Sequence, residues 1–203
     1  LVKADVTAPE APARLAEAAW DGWGGPDILV NNAGICLPGT VMDQSDESWD
    51  RTLAVNVTAV FRITRAVVPA MKARKWGRII NIGTNLFQHP VVPYHDYTAA
   101  KAAALSLTRT LAADLGPHGV TVNMVSGGLL RTTDASAATP DEVFDLIASG
   151  TPLRRVTTPA ELADAVLFFA SPWARAVTGQ LICVDGGQHL GWQTPDILGE
   201  PVP

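Results

Sequence analysis

The chain has 203 residues, 47% of them hydrophobic, and a formal net charge of −5. That length and apolar share suit one domain with a substantial core, and the negative balance gives no electrostatic support for nucleic-acid binding. No apolar run approaches the roughly 18 residues of a membrane span, no signal peptide is legible, and a cytoplasmic location follows by default.

In chain order, PARLAEAAW (12–20) reads as a first helix and DILVNN (27–32) as a first strand. A long helix is expected over 45–73, with Ser45 and Asp46 as candidate caps. GRIINIG (77–83) is a second strand, and TAAKAAALSLTRTLAADL after Tyr97 is a second long helix, ended by Gly116-Pro117. GVTVNMV (119–125) is a third strand. The stretch 129–155, rich in Thr, Ala and Ser, is either a lid or a surface loop with a helix. PAELADAVLFFAS (159–171) is a helix with Pro159 suited to its first turn, and QLICVDGG (180–187) is a fourth strand. Strand alternating with helix predicts an α/β fold: a doubly wound parallel sheet with helices on both faces. The first three strands are apolar almost throughout, as for strands covered on both faces. One domain spans 1–187, followed by a tail, 188–203.

Cys36 and Cys183 are expected to be reduced and buried, and the four histidines show no metal-ligand spacing. Tyr97 and Lys101, four residues apart, share one helical face. A tyrosine ordinarily holds its proton to about pH 10. A lysine ammonium beside it is expected to favour the phenolate and lower that value, making a proton-transfer device. Each strand ends in small, amide or hydroxyl residues: Asn31-Asn32-Ala33-Gly34, Gly83-Thr84, Ser126-Gly127-Gly128 and Asp185-Gly186-Gly187. Ligands of open α/β sheets bind at those ends. Asn56, inside the 45–73 helix, reads alone as a satisfied core amide.

Taken together, NNAG at 31–34, Asn56, RIINIG followed by Thr84, Tyr97-x-x-x-Lys101 thirteen residues later, VNMVSGG at 122–128, Thr132 and TGQLICVDGG at 178–187 resemble the short-chain dehydrogenase/reductase family, most closely its 3-oxoacyl-acyl-carrier-protein reductases. The resemblance implies a Rossmann-like fold and NAD or NADP as cofactor. It implies Tyr97 as general acid/base, Lys101 as the ribose-binding residue that tunes Tyr97, Thr84 as hydrogen-bond partner of the substrate oxygen, and Asn56 as holder of a relay water. It also implies cofactor contacts from Asp5, Val6, Asn32, Ala33, Gly34, Gly128, Leu130 and Thr132. The expected substrate is a small-molecule ketone or alcohol. An acyl carrier protein is a candidate partner, and a homodimer or homotetramer would form through the helices at about 45–73 and 97–115.

Three departures matter. Thr84 stands where the family has serine, and Gly127 where it has proline, which predicts a looser turn. The glycine-rich turn and the first two βα units are missing from the sequence, which begins at Leu1. On that reading the chain is a fragment of a longer enzyme, expected to be inactive and to bind nucleotide poorly alone. The alternative from another class is a non-catalytic nucleotide-sensing or scaffold protein. A basic cluster, Lys72, Arg74, Lys75 and Arg78, is either a docking patch for an acidic carrier or a solvated helix end.

Overall fold

A computed structural model describes residues 1–131, 136–137 and 139–191. Helix α1 (Ala11–Trp23) leads to strand β1 (Ile28–Asn31). Helix α2 (Asp46–Leu53) continues through a π-helical turn (Ala54–Thr58) into α3 (Ala59–Arg74), then β2 (Gly77–Thr84). Next come α4 (His95–Leu115), β3 (Val120–Gly127), α5 (Asp141–Gly150), α6 (Pro159–Ala170) and β4 (Leu181–Val184). The four strands form one parallel sheet in the order β1-β2-β3-β4.

Local chemistry sets the boundaries. The Ser45 side chain accepts the Ser48 N–H at 3.2 Å to start α2, and Thr158 with Glu161 forms a reciprocal capping box at α6. Gly119 (φ +73°) turns the chain into β3 where a Cβ would lie 2.2 Å from the Lys75 carbonyl oxygen, so no side chain fits there.

The period of two along β2 divides the core. Ile79 joins Val67, Met71, Ala112, Leu115, Val120 and Val122 under α3 and α4. Ile80 faces the other way, against Phe169 and Val125 under α6. Helices therefore cover both faces, as expected of a Rossmann-like sheet. β1 departs from the expectation of two covered faces. It is an edge strand whose Ile28 and Val30 remain 44% and 41% exposed, because α6 reaches over β2 to β4 only.

Amides inside the strands are a second feature that hydrophobic pattern does not foretell. Asn31 and Asn81 are register partners. Asn31 Nδ2 donates to Asn81 Oδ1 at 2.8 Å, and Asn81 Nδ2 donates to Thr108 Oγ1 at 2.8 Å. A one-residue slip would break this buried ladder, so it helps to pin β1 on β2. The stretch Asp46–Arg74 runs as one 29-residue helical segment, long and apolar enough by composition to cross a membrane, contrary to the sequence expectation. It packs against α1, α4 and β2 as a core helix.

Candidate active site

The carboxyl ends of the strands bring distant residues together. Thr84 ends β2 and is 6% exposed; its Oγ1 accepts the Leu86 N–H at 3.3 Å. Tyr97 lies in the first turn of α4, and its phenol lies near enough to the Thr84 hydroxyl for Thr84 to favour its ionised form. One turn on, Lys101 is 5% exposed and donates from Nζ to the Ile82 carbonyl oxygen at 2.8 Å. The phenol, hydroxyl and ammonium expected from two separate motifs thus converge at one end of the sheet.

The electrostatics correct one expectation. Burial, reinforced by Cys36, pushes the Tyr97 phenol up to about 12, while the nearby Thr84 hydroxyl pulls the other way. Lys101 does not lower it. Its Nζ sits 5.7 Å from the centre of the Tyr97 ring and is directed to Ile82. Burial brings Lys101 itself down to about 8. Desolvation is the largest influence on both groups. At neutral pH Tyr97 is therefore a protonated acid.

Asn56 lies in the π-helical turn, a local irregularity common at functional sites. Its Nδ2 donates to the carbonyls of Ile35 (2.9 Å) and Thr52 (3.1 Å). Its buried Oδ1 has no partner among the described residues, so the amide is only half satisfied. A Cβ on Gly34 would stand 2.8 Å from that oxygen and 3.4 Å from Lys101 Nζ, so glycine is what leaves the gap between them open.

Of the expected cofactor residues, Val6, Asn32 and Ala33 line one groove of about 460 Å³, with Leu15, Ala19 and Asn31, beside β1. Asp5 is exposed and turns away, accepting the Thr7 N–H (2.9 Å) and hydroxyl (2.8 Å). At the end of β3, a Cβ on Gly128 would meet Gln188 Oε1 at 2.5 Å and Asp185 Cβ at 2.9 Å. Asn85 Nδ2 donates to Asp185 Oδ2 (2.9 Å) and Gln188 Oε1 (3.1 Å), so one buried polar knot ties the ends of β2, β3 and β4. Leu130 bridges to Thr157. Gly127 belongs to β3, laddered to Thr84 and Val184, not to a loose turn. Thr132 lies outside the described residues.

Two residues were missed. The half-buried Cys36 thiol faces Tyr94, Asp96, Tyr97 and Lys101, and it is pushed up to about 11 by burial first and by Asp96 next. Cys183 is also free and half-buried. Tyr94 meets Tyr97 edge-on, ring centres 6.5 Å apart. The available signal was proximity in sequence: Cys36 lies two residues past NNAG, and Tyr94 three before Tyr97.

The chain as a whole is similar to known proteins. A family model described as enoyl-(acyl carrier protein) reductase matches residues 1–189. The chain is 37% identical over 186 residues to the 3-oxoacyl-[acyl-carrier-protein] reductase FabG of Vibrio cholerae, covering 92% of this chain and 76% of that protein. The chain belongs to the short-chain dehydrogenase/reductase family. Members of this family are NAD(P)-dependent oxidoreductases, and the chain is such an enzyme. It is 38% identical over 190 residues to the 3-alpha-(or 20-beta)-hydroxysteroid dehydrogenase of Mycobacterium tuberculosis, covering 94% of this chain and 71% of that one. Among solved structures, a gluconate 5-dehydrogenase from Burkholderia cenocepacia in complex with NADP and tartrate superposes with a TM-score of 0.85 at 30% identity, over 91% of this chain and 73% of that one. A short-chain dehydrogenase/reductase family protein superposes with a TM-score of 0.83 at 41% identity, over 93% and 76%.

The residues present fit the ribose and base portions of a nicotinamide nucleotide, while the glycine-rich turn expected to hold its phosphates is not among them. The groove at Val6, Asn32 and Ala33 suits a flat apolar ring. The buried ammonium of Lys101 and the orphan Asn56 oxygen offer donor and acceptor to sugar hydroxyls beside a glycine that allows close approach.

Proposed function

We propose that the chain interconverts a ketone and a secondary alcohol by hydride transfer. The nicotinamide, when bound, supplies or takes the hydride. Tyr97 gives its proton to the carbonyl oxygen as charge builds there, and Thr84 donates a second hydrogen bond to the same oxygen. Lys101 holds ribose hydroxyls and keeps a positive charge beneath the phenol. Asn56 Oδ1 accepts from a water that links Lys101 to solvent. Val6, Asn32, Ala33 and Gly34 line the adenosine side; Gly128, Leu130 and Thr132 serve the nicotinamide end.

The observation that carries this reading is the convergence of Tyr97, Thr84 and buried Lys101 at the carboxyl ends of the strands, with Lys101 one helical turn on from Tyr97. With its value pushed up to about 12, the phenol is protonated near neutral pH and can serve as the acid when the ketone is reduced. The test is Tyr97→Phe against a panel of ketones with NADH and NADPH. The ring still fills its place, so folding should be unchanged while kcat falls at least about 100-fold. Equal rates in wild type and variant would refute the assignment.

Likeness to the FabG reductases favours a 3-oxoacyl thioester as the ketone. An acyl carrier protein as partner rests on that likeness alone, because three of the four residues of the basic cluster make contacts within the fold. Arg74 bonds Asp27 (3.2 Å) and the carbonyls of Gly24 (3.1 Å) and Pro26 (2.5 Å). Lys72 lies 4.0 Å from Asp114, and buried Arg78 stacks on Trp76. A homo-oligomer is expected to pair along α3 and α4. Between them runs a surface groove of about 390 Å³ lined by Phe61, Val68 and Leu111, and Ala99, Ala102 and Ala103 are exposed on α4. Sedimentation checks this.

A further inference from the structure

Two loops flank Tyr97: residues 33–44 after β1 and residues 85–97 after β2. They are joined by a parallel bridge between Gly39 and Tyr94. Neither contains a lysine or an arginine. Their carboxylates are Asp43, which is exposed and bonded to the Thr40 hydroxyl, and Asp96, which is fully buried with Oδ1 on the Tyr97 N–H. His89 and His95 are their other titratable side chains besides Cys36, Tyr94 and Tyr97. The nearby cations are committed elsewhere: Lys101 to Ile82, Arg131 to Asp141 and Asp145, and Arg155 to Glu161 through two hydrogen bonds.

What the loops do present is exposed apolar surface beside the site. Leu37, Val91 and Val92 are 39%, 44% and 40% exposed, and on the same loops Tyr94 stands edge-on to Tyr97 with Cys36 near it. An anionic group here would lose water and find no cation on either loop, the ammonium of the site being the buried Lys101 already bonded to Ile82, with Asp43 and Asp96 adding repulsion. An alkyl or ring carbon gains by covering the exposed side chains.

We propose that these loops form a cation-free apolar wall, with Tyr94 as its innermost member, that selects neutral ketones with apolar flanks and rejects ketones bearing a carboxylate or phosphate. This selectivity rests on the hydride-transfer reading and narrows it. An uncharged 3-oxoacyl ester or thioester satisfies it; the free 3-oxo acid does not.

The test compares ethyl 3-oxobutanoate with 3-oxobutanoate at pH 8, above the ordinary imidazole range, with NADH and NADPH. The ester is expected to exceed the acid at least 30-fold in kcat/KM. Tyr94→Ala should remove at least tenfold of that preference through KM, Tyr94→Phe should keep it, and Val92→Arg should raise turnover of the acid at least tenfold. Acid turned over within threefold of the ester, or a preference untouched by Tyr94→Ala, overturns the proposal. If no ketone is reduced, the hydride-transfer reading fails, and saturation-transfer NMR then decides on the wall: Tyr94-dependent binding of the ester over the acid supports it, and equal binding overturns it.

Discussion

Replacing Lys101 by Met should reverse its effect on stability between pH 7 and pH 10.5. Lys101 is 5% exposed and its ammonium is brought from 10.5 down to about 8. The native chain therefore gives up this proton more readily than the unfolded chain. Below pH 8 the native state bears the full cost of burying the charge, about 3 kcal/mol at 1.36 kcal/mol per pH unit. Between pH 8 and 10.5 the unfolded chain binds more protons, so wild-type stability rises with pH. Methionine removes that cost but leaves the Ile82 carbonyl without its donor, a loss of about 1–3 kcal/mol. Lys101→Met should thus match or exceed wild type at pH 7, by up to about 2 kcal/mol, and fall about 1–3 kcal/mol below it above pH 10.5. Tyr97, pushed up to about 12, makes both proteins less stable as pH rises from 10 to 12, and this cancels in the difference. Urea unfolding followed by fluorescence of the six tryptophans measures it. A wild-type-to-variant difference that stays constant over the whole range would show that the buried ammonium is not penalised.

Thr84→Ala should lower kcat by about 10- to 1,000-fold with little change in folding, and Thr84→Ser should restore most of it, since the hydroxyl is what matters; steady-state kinetics on both variants decide. Gly34→Ala places a methyl 2.8 Å from Asn56 Oδ1 and 3.4 Å from Lys101 Nζ, so it should cost about 1–3 kcal/mol in urea unfolding and depress activity as well. Asn81→Leu leaves the Asn31 amide with only its long bond to Thr64 and the Thr108 hydroxyl with only the Ala104 carbonyl, for an expected loss of about 1–3 kcal/mol. A loss below about 0.5 kcal/mol would mean that the amide ladder does not hold β1 in register.

Much of the architecture was legible because it is written in short-range pattern. Apolar runs bounded by Gly, Pro and Asn marked all four strands, and Ser45 and Pro159 marked two helix starts. The π-helical turn at Asn56 was not legible, since one extra residue in a helical turn leaves the apolar periodicity nearly intact. Nor was the exposed face of β1, because residues 27–32 look like any buried strand until one knows what α6 covers.

The sequence by itself determined the parallel α/β order and the family, and it named Tyr97, Lys101, Thr84 and Asn56 by their motifs. Only the tertiary structure decided how those groups behave. Spacing alone predicted a phenol made more acidic by its lysine, yet burial raises Tyr97 and turns Lys101 toward Ile82. A charge cluster read along the chain was dispersed into contacts with Asp27, Asp114 and Trp76. The reason is the same in each case: solvation and charge pairing at a point are sums over atoms from many segments, and no window along one segment contains them.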